Sequence, residues 1–214
     1  MSAAGRSTRR TRKQQDDPMV TLSKTLSWLL RHGAEKSGFQ LQPGGFLYVE
    51  EILTLPKLQK YTVEEIKHVV LTDEKKRFHM EEEPSTGKLR IRANQGHTLQ
   101  VDDLELKYID DPAEVQSIVH GTYYRAWEDI KKQGLKKMRR NHIHFAAKEV
   151  GATSGMRGSC EIVIFVDVAR AMADGIKFYQ SANDVILSPG DASGTILPKY
   201  FLRVLDRKTR QELL

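Results

Sequence analysis

The sequence predicts an α+β protein of two lobes, a helical N-terminal lobe followed by a strand-dominated C-terminal lobe. Apolar residues at helical spacing dominate the first part of the chain, and strand-like apolar runs dominate the last part. A stretch rich in Asp and Glu separates the two parts. At 214 residues, the chain is long enough for each lobe to have its own hydrophobic core.

The N-terminal lobe is predicted to begin with an amphipathic helix starting at Met19. Four leucines lie at spacings that place them on one face: Leu22, Leu26, Leu29 and Leu30. Thr21 or Ser23 would cap its start, and Gly33 would stop it. A short strand over 46–49 and a second helix over 49–55 follow.

A third helix over 62–71 and a β-hairpin complete this lobe. Thr62 and Glu65 have the spacing of a capping box. Residues 77–80 and 89–92 read as strands flanking a Pro-Ser-Thr-Gly turn. Three short helices followed by a hairpin is the order of a winged helix, which suggests contact with nucleic acid, although winged helices also dock proteins.

The C-terminal lobe is predicted from four strand-like runs and two helices. The strands are expected over 115–120, 143–145, 161–166 and 185–187, and the helices over 123–132 and 167–174. The predicted division is a basic tail over 1–18, a winged-helix lobe over 19–97, a linker over 98–114, a second lobe over 115–207 and a short tail over 208–214.

Charge and cysteine content indicate the kind of partner and the cellular compartment to expect. The net charge of +6 suits a polyanionic partner, although many metabolic enzymes are mildly basic. Five cations lie in the first 13 residues, which have the composition of a disordered arm. The lone cysteine, Cys160, suits a reducing compartment, so we expect a cytoplasmic or nuclear location. Apolar runs are too short for a membrane helix, and the N-terminus lacks the apolar stretch of a signal peptide.

Several polar clusters are candidates for chemistry, each with a structural alternative. Arg31 and His32 end the first helix, where they suit either the helix dipole or a bound phosphate. Arg77 lies in a charged loop, and a solvated surface without function would also explain it. The segment Ala-Asn-Gln-Gly-His over 93–97 combines hydrogen-bonding side chains with a glycine, which a plain turn would also explain.

The second lobe carries two further clusters. His120-Gly121-Thr122 ends one predicted strand, and the run over 139–144 places His142 and His144 on one face of another. Two histidines without a Cys pair or a carboxylate third ligand argue against zinc, so no metal is expected. The loop over 154–159 offers small residues and one arginine to a pyrophosphate. The sequence has neither a P-loop nor a Gly-x-Gly-x-x-Gly motif.

Taken together and in order, these segments resemble the RNA 2′-phosphotransferase family. The matching motifs are Leu-Ser-Lys-x-Leu-Ser-x-Leu-Leu-Arg-His, Lys-x-Arg-Phe, Ala-Asn-Gln-Gly-His, His-Gly-Thr, Arg-Asn-His-Ile-His and Ser-Gly-Met-Arg. They cover about residues 20–205. The resemblance implies a winged-helix lobe that holds RNA, an ADP-ribosyltransferase-like lobe that holds NAD, and catalysis between them. The oligomeric state stays open, and a monomer is the default expectation.

The resemblance also implies roles for individual residues. The positions that match the family's catalytic residues are Arg31, His32, Arg77 and Arg140. The positions implied to bind NAD are His120, Gly121, Thr122, Asn141, His142, His144, Ser154, Gly155 and Arg157. The implied substrate is spliced tRNA that carries a 2′-phosphate at the splice junction.

The reaction implied by the resemblance has two steps and needs no metal. The RNA 2′-phosphate attacks the nicotinamide ribose of NAD and expels nicotinamide, which leaves an ADP-ribosylated phosphate on the RNA. The ribose 2″-hydroxyl then attacks phosphorus, giving RNA with a 2′-hydroxyl and ADP-ribose 1″,2″-cyclic phosphate. Arginines would neutralise charge in both steps, and His32 would handle a proton.

Two alternatives stay open at the level of sequence. One is an ADP-ribosyltransferase that stops after the first step and caps terminal phosphates of RNA or DNA. The other is a non-catalytic module that binds phosphorylated RNA or ADP-ribose.

Overall fold

The computed structural model describes residues 17–115, 117–149 and 155–214. Within them the chain forms a three-stranded sheet, a seven-stranded sheet and a two-stranded ribbon, with short helices between the strands. The predicted α+β class is confirmed. Of the predicted basic tail, residues 1–16 lie outside the described ranges.

The first helix has the apolar face predicted for it. Helix α1 spans Pro18–Trp28 and buries Leu22 and Leu26 completely. It continues into a π-helical turn over Leu29–Gly33. A π turn has a wider spacing than an α-helix and is found often at functional sites. The two candidate residues Arg31 and His32 lie in this turn.

The predicted caps of α1 are wrong. Neither Thr21 nor Ser23 is the N-cap; Asp17 is, and its Oδ1 accepts a hydrogen bond from the Met19 N–H at 2.8 Å. Pro18 occupies the first helical position, where its missing N–H costs nothing because that N–H has no partner in any helix. Helical structure therefore begins inside the segment predicted as tail.

The remaining helices are short. They are α2 (Val49–Ile52), α3 (Val63–Thr72), α4 (Tyr124–Gln133) and α5 (Val168–Ala173). Helix α3 begins with the predicted capping box: Thr62 Oγ1 accepts from the Glu65 N–H at 3.2 Å, and Glu65 Oε2 accepts from the Thr62 N–H at 2.8 Å. Gly134 ends α4 with φ +86°, a conformation that favours glycine.

The N-terminal sheet contains the predicted hairpin. Its strands are β1 (Leu47–Tyr48), β2 (Phe78–Glu82) and β3 (Leu89–Ala93), in the order β1-β3-β2. All pairings are antiparallel, with Met80 opposite Ile91 in the hairpin. The hairpin brings Arg77, just before β2, beside the segment that follows β3.

The C-terminal lobe is built on the larger sheet. Its strands and those of the ribbon are, in chain order, β4 (Leu106–Ile109), β5 (Ile118–Thr122), β6 (Leu135–Lys136), β7 (Ile143–Ala146), β8 (Ile162–Val166), β9 (Phe178–Ser181), β10 (Val185–Ser188), β11 (Thr195–Ile196) and β12 (Phe201–Asp206). The sheet order is β12-β8-β5-β7-β10-β9-β4, and β6 pairs with β11 in the ribbon. The strand pairings of this sheet and of the ribbon are antiparallel throughout the described residues.

Two predicted boundaries differ from the structure. The segment 98–114, expected to be a linker, contains β4, which pairs with β9 at the edge of the large sheet. The segment 208–214, expected to be a tail, returns to the sheet: the Leu213 N–H donates to the Val204 carbonyl at 3.0 Å, and Leu213 packs on the core. β4 and β9 are far apart in sequence, and Leu213 reaches Val204 only because the chain turns back after β12, so local pattern reveals neither pairing.

The two parts of the chain have separate cores and a polar junction. One core gathers leucines from α1 with residues of α2, α3 and the small sheet, and the other fills one side of the large sheet. Main-chain and amide groups join them: Asn183 Nδ2 donates to the Lys75 carbonyl at 2.9 Å, and Asn141 Nδ2 donates to the Leu99 carbonyl at 2.8 Å. The candidate site lies at this junction. Among the described residues, no helix is long and apolar enough to cross a membrane.

We predict that Leu26→Ala destabilises the lobe that carries the candidate arginines. Leu26 is completely buried, and truncating a buried leucine typically lowers the free energy of unfolding by about 2–5 kcal/mol. Leu71→Ala is the matched control, because Leu71 is 84% exposed. Urea unfolding of both variants checks the prediction, and equal effects would show that α1 is not part of a core.

Candidate functional site

The site is centred on Arg31, in the π turn after α1. Its Nε and Nη2 atoms are buried and have no hydrogen-bond partner within the described ranges. Burial and the charges of Arg140 and Arg77 lower the pKa of Arg31 to about 10, while Asp73 acts in the opposite direction. The guanidinium is therefore still charged at neutral pH. A buried cation with unpaired donors is costly unless an anion binds it.

Gly96 allows the chain to lie directly over this guanidinium. A Cβ at Gly96 would be 3.3 Å from Arg31 Nε, and its φ of +92° favours glycine. The adjoining Thr98 N–H donates to the Arg31 carbonyl at 3.0 Å. The segment 93–97, which the sequence left as either a turn or a site, thus forms one wall around Arg31.

His32 is held by the same wall. Its Nδ1 lies 3.1 Å from Thr98 Oγ1, which is also 3.4 Å from the Arg31 carbonyl. If the hydroxyl donates to that carbonyl, it accepts from Nδ1–H, and Nε2 is left as an acceptor. Burial and then the charges of Arg31 and Arg140 lower the pKa of His32. The ring is therefore neutral at pH 7 and can take up a proton.

Arg77 is positioned by Asp73, a carboxylate that ends α3. Asp73 pairs with the Arg77 guanidinium, and its Oδ2 accepts from the Arg77 main-chain N–H at 2.6 Å. The Asp73 side chain is 6% exposed, while that of Arg77 is 32% exposed. This buried carboxylate contacts both the main chain and the guanidinium of Arg77, so it restricts where that guanidinium can lie. From this position the charge of Arg77 lowers the pKa of Arg31.

Arg140 brings a third guanidinium from the other lobe. It lies in the turn before β7, and its charge lowers the pKa values of Arg31, His32 and His144. Partial removal from water and the charge of Arg157 lower the pKa of Arg140 itself. The structure therefore brings together all four residues implied to be catalytic.

Two buried histidines adjoin the arginines. His97 is 2% exposed, and both of its ring nitrogens are without a hydrogen-bond partner in the described part of the chain. Burial, then Arg31 and His32, lower the pKa of His97 to about 3. Burial and Arg140 lower the pKa of His144 to about 3 as well, and its Nε2 is likewise unpaired within those residues. Both rings are neutral at pH 7.

The residues implied to bind NAD fall into two groups. His120, His142, His144 and Asn141 surround the arginines: His120 Nδ1 lies 2.9 Å from the His144 carbonyl, and the His142 ring meets Tyr179 edge to face with centroids 6.1 Å apart. Burial lowers the pKa values of His120 and His142. Asn141 uses its amide to hold Leu99, so part of its role is structural.

The second group lies around the loop before β8. A Cβ at Gly121 would be 2.4 Å from Met156 Cγ, so this glycine is needed because the loop packs against it. Thr122 is buried. Gly155 has φ +85°, and a Cβ there would be 2.4 Å from the Phe145 carbonyl oxygen. Arg157 is exposed beside this turn. Ser154 lies outside the described residues.

Sequence reasoning missed Asp73 and did not assign His97. Asp73 precedes Arg77 by four residues, a spacing that is informative only once the loop is known to fold back. His97 ends a motif that was singled out, but its burial beside Gly45 and Arg31 depends on contacts between distant segments.

In the described part of the chain, buried arginine donors without partners lie beside neutral histidines. This arrangement in an α+β protein is typical of an enzyme that acts on anions. A family model described as "RNA 2′-phosphotransferase, Tpt1 / KptA family" matches residues 17–190. The chain therefore belongs to the RNA 2′-phosphotransferase family.

Individual relatives agree with this assignment. The chain is 45% identical to tRNA 2′-phosphotransferase 1 of Danio rerio, covering 91% of this chain and 88% of that protein. It is 46% identical to tRNA 2′-phosphotransferase 1 of Mus musculus, covering 98% of this chain and 85% of the relative. It is 38% identical to a probable RNA 2′-phosphotransferase of Nostoc punctiforme, covering 80% and 92% respectively.

We predict that the buried neutral histidines make the protein less stable in mild acid. The unfolded state protonates a histidine near pH 6.5, whereas folded His97 and His144 resist protonation until about pH 3. The unfolded state thus binds more protons in this window, and stability falls as pH drops from about 6.5, by up to about 1.4 kcal/mol per pH unit for each histidine.

Urea unfolding between about pH 7 and about pH 5 measures this slope, above the range where most carboxylates titrate. His97→Gln should make the slope shallower. His68→Gln, on the exposed side of α3, serves as the control and should leave it unchanged. A slope that is the same in all three proteins would contradict a neutral buried His97.

Proposed function

We propose that this protein removes the 2′-phosphate from RNA in an NAD-dependent transfer, with spliced tRNA as the substrate. The observation that carries the proposal is the pair of Arg31 donors, Nε and Nη2, which are buried and unpaired within the described residues, with the charges of Arg77 and Arg140 acting on the same guanidinium. Three guanidinium groups suit a phosphate dianion and the further charge that develops on it during transfer. The names of the family and of the relatives indicate that this phosphate is an RNA 2′-phosphate.

We assign RNA to the N-terminal lobe as a winged helix and NAD to the C-terminal lobe as an ADP-ribosyltransferase-like fold. The residues of the second lobe suit NAD by their chemistry. Unpaired His144 Nε2 offers a hydrogen bond to a hydroxyl or amide, Arg157 offers charge to a pyrophosphate, and the left-handed backbone at Gly155 shapes the turn between them. NAD would supply a ribose carbon that accepts the phosphate and a 2″-hydroxyl that completes the transfer.

The chain's own residues then have distinct tasks. Arg31 and Arg77 hold the RNA phosphate from the N-terminal lobe, and Arg140 neutralises charge from the opposite side, where RNA and NAD must both bring negative groups. Holding two polyanions together is a large part of the catalytic problem, because a phosphate is already a nucleophile. His32, neutral and with Nε2 free to accept, takes the proton of the attacking hydroxyl.

The reaction itself is the first test. The protein is incubated with NAD and an oligonucleotide that carries one internal 2′-phosphate, and the same oligonucleotide without the phosphate is the control. We expect RNA with a 2′-hydroxyl, nicotinamide and ADP-ribose 1″,2″-cyclic phosphate. Accumulation of ADP-ribosylated RNA would instead indicate an enzyme that stops after the first step, and tight binding without turnover would indicate a binding module.

Substitutions at the Asp73–Arg77 pair test the phosphate site. Arg77→Ala should lower kcat by roughly 10²–10³-fold, the usual effect of removing one charge-stabilising donor. Asp73→Asn should have a smaller effect, because the amide oxygen still accepts from the Arg77 N–H but the ion pair is lost.

Glu74→Gln is the matched control, since it removes the neighbouring exposed carboxylate. Its activity should equal that of the wild type. A positioning role for Asp73 also requires that added guanidinium does not rescue Asp73→Asn but does partly rescue Arg77→Ala. Equal activity of all three variants would contradict the assignment of Arg77.

A further inference from the structure

One aromatic side chain beside the site has no role in the chemistry above. The chain has two tryptophans, of which Trp127 is 5% exposed in the core and Trp28 is 44% exposed at the end of α1. A single exposed apolar side chain is ordinary on a protein surface, so what distinguishes Trp28 is its position and its neighbours. Trp28 precedes His32 by four residues, about 6 Å along a helix, so it lies one turn from the phosphate site.

The ring lies against the π turn. A Cβ at Gly33 would be only 2.5 Å from Cη2 and Cζ3 of Trp28, so the indole lies against the backbone of the residue that follows His32. Any side chain at position 33 would displace the ring. The backbone of Gly33 thus supports part of the ring beside His32, while 44% of the residue stays exposed.

The surroundings of the ring are basic. Lys57 Nζ lies 5.6 Å from the Trp28 ring centroid, and the nearby Lys60 lies over Tyr61 at 5.0 Å. Lys57 is itself exposed, so it can exchange its ring contact for a phosphate. Proteins bind single-stranded nucleic acid through exposed aromatic faces that have cations beside them.

We propose that Trp28 stacks on the base of the nucleotide next to the one that carries the 2′-phosphate, while Lys57 pairs with the intervening backbone phosphate. This inference rests on the proposed RNA substrate and adds to it a nucleobase subsite. Stacking uses the face of a base and does not read its edge, so the subsite accepts any base but requires that one be present. A 2′-phosphorylated mononucleotide would lack this contact.

A binding experiment without NAD tests the subsite independently of turnover. The tryptophan emission of the wild-type protein is followed while a short RNA with an internal 2′-phosphate is added. We expect quenching, which should disappear in Trp28→Phe, where only Trp127 is left to report. Quenching that persists in this variant, or no quenching in the wild type at RNA concentrations that saturate binding, would overturn the proposal.

Kinetics with two substrates give the second measurement. Trp28→Ala should raise KM for the normal substrate by roughly 10-fold to 100-fold, with a much smaller effect on kcat. It should have little effect on a substrate with an abasic neighbour, and Trp28→Tyr should restore most of the loss. An equal rise in KM for both substrates would mean that the ring only supports the π turn.

The outcomes separate this inference from the proposed function. Normal turnover with unchanged KM in Trp28→Ala would refute the subsite and leave the phosphate transfer intact. RNA-dependent quenching without turnover would support the subsite and refute the transfer. Emission that changes with protein concentration alone would assign the ring to a contact between two copies, and would overturn the proposal.

Discussion

The arginine cluster at the junction of the two lobes constrains the rest of the structure. The Nε and Nη2 atoms of Arg31 are buried and have no hydrogen-bond partner among the described residues, and Arg77 and Arg140 add their charges to the same region. Like charges brought together away from water raise the free energy of the folded state, which is why the pKa of Arg31 falls. Asp73 offsets part of this cost. The remainder of this cost can be recovered when an anionic ligand binds, so the cluster is suited to an anion.

This electrostatic demand explains the neutral groups around the cluster. His97 and His144 would add further positive charge if they were protonated, and their burial, together with the charges of the arginines, prevents it at neutral pH. The rings then line the site as polar but uncharged groups, and their nitrogen atoms can hydrogen-bond a ligand without adding charge to the site. Burial and then the charges of Arg31 and Arg140 lower the pKa of His32, so this ring is also neutral at pH 7. Burial and one set of charges thus keep the histidine rings around the arginines uncharged.

Main-chain hydrogen bonds hold these groups in place. Between the lobes, the Asn141 N–H donates to the His97 carbonyl at 3.1 Å, and this contact brings Arg140, the residue directly before Asn141, to the arginine cluster. Within the N-terminal part of the chain, the Thr98 N–H donates to the Arg31 carbonyl. Such bonds do not depend on side-chain rotamers, so they fix the backbone from which the cations of both lobes extend. Trp28 packs against Gly33, the residue that follows His32 in the π turn.

Local pattern in the sequence determined the helices, the capping box at Thr62, the hairpin and the strands that are both apolar and central. Those features depend on residues near one another, and helical spacing or a capping motif expresses them directly. Ordered motifs also singled out candidate arginines and histidines, whose roles stay predictions. Only the tertiary structure placed β4 in the large sheet, returned the C-terminal residues to β12, buried His97, and set Asp73 on Arg77. The contacts of Asp73 with Arg77 and of Leu213 with Val204 join residues close in sequence, but they depend on how the chain between them turns. The position of β4 and the burial of His97 depend on segments distant in sequence, and desolvation and summed charge exist only after such segments meet.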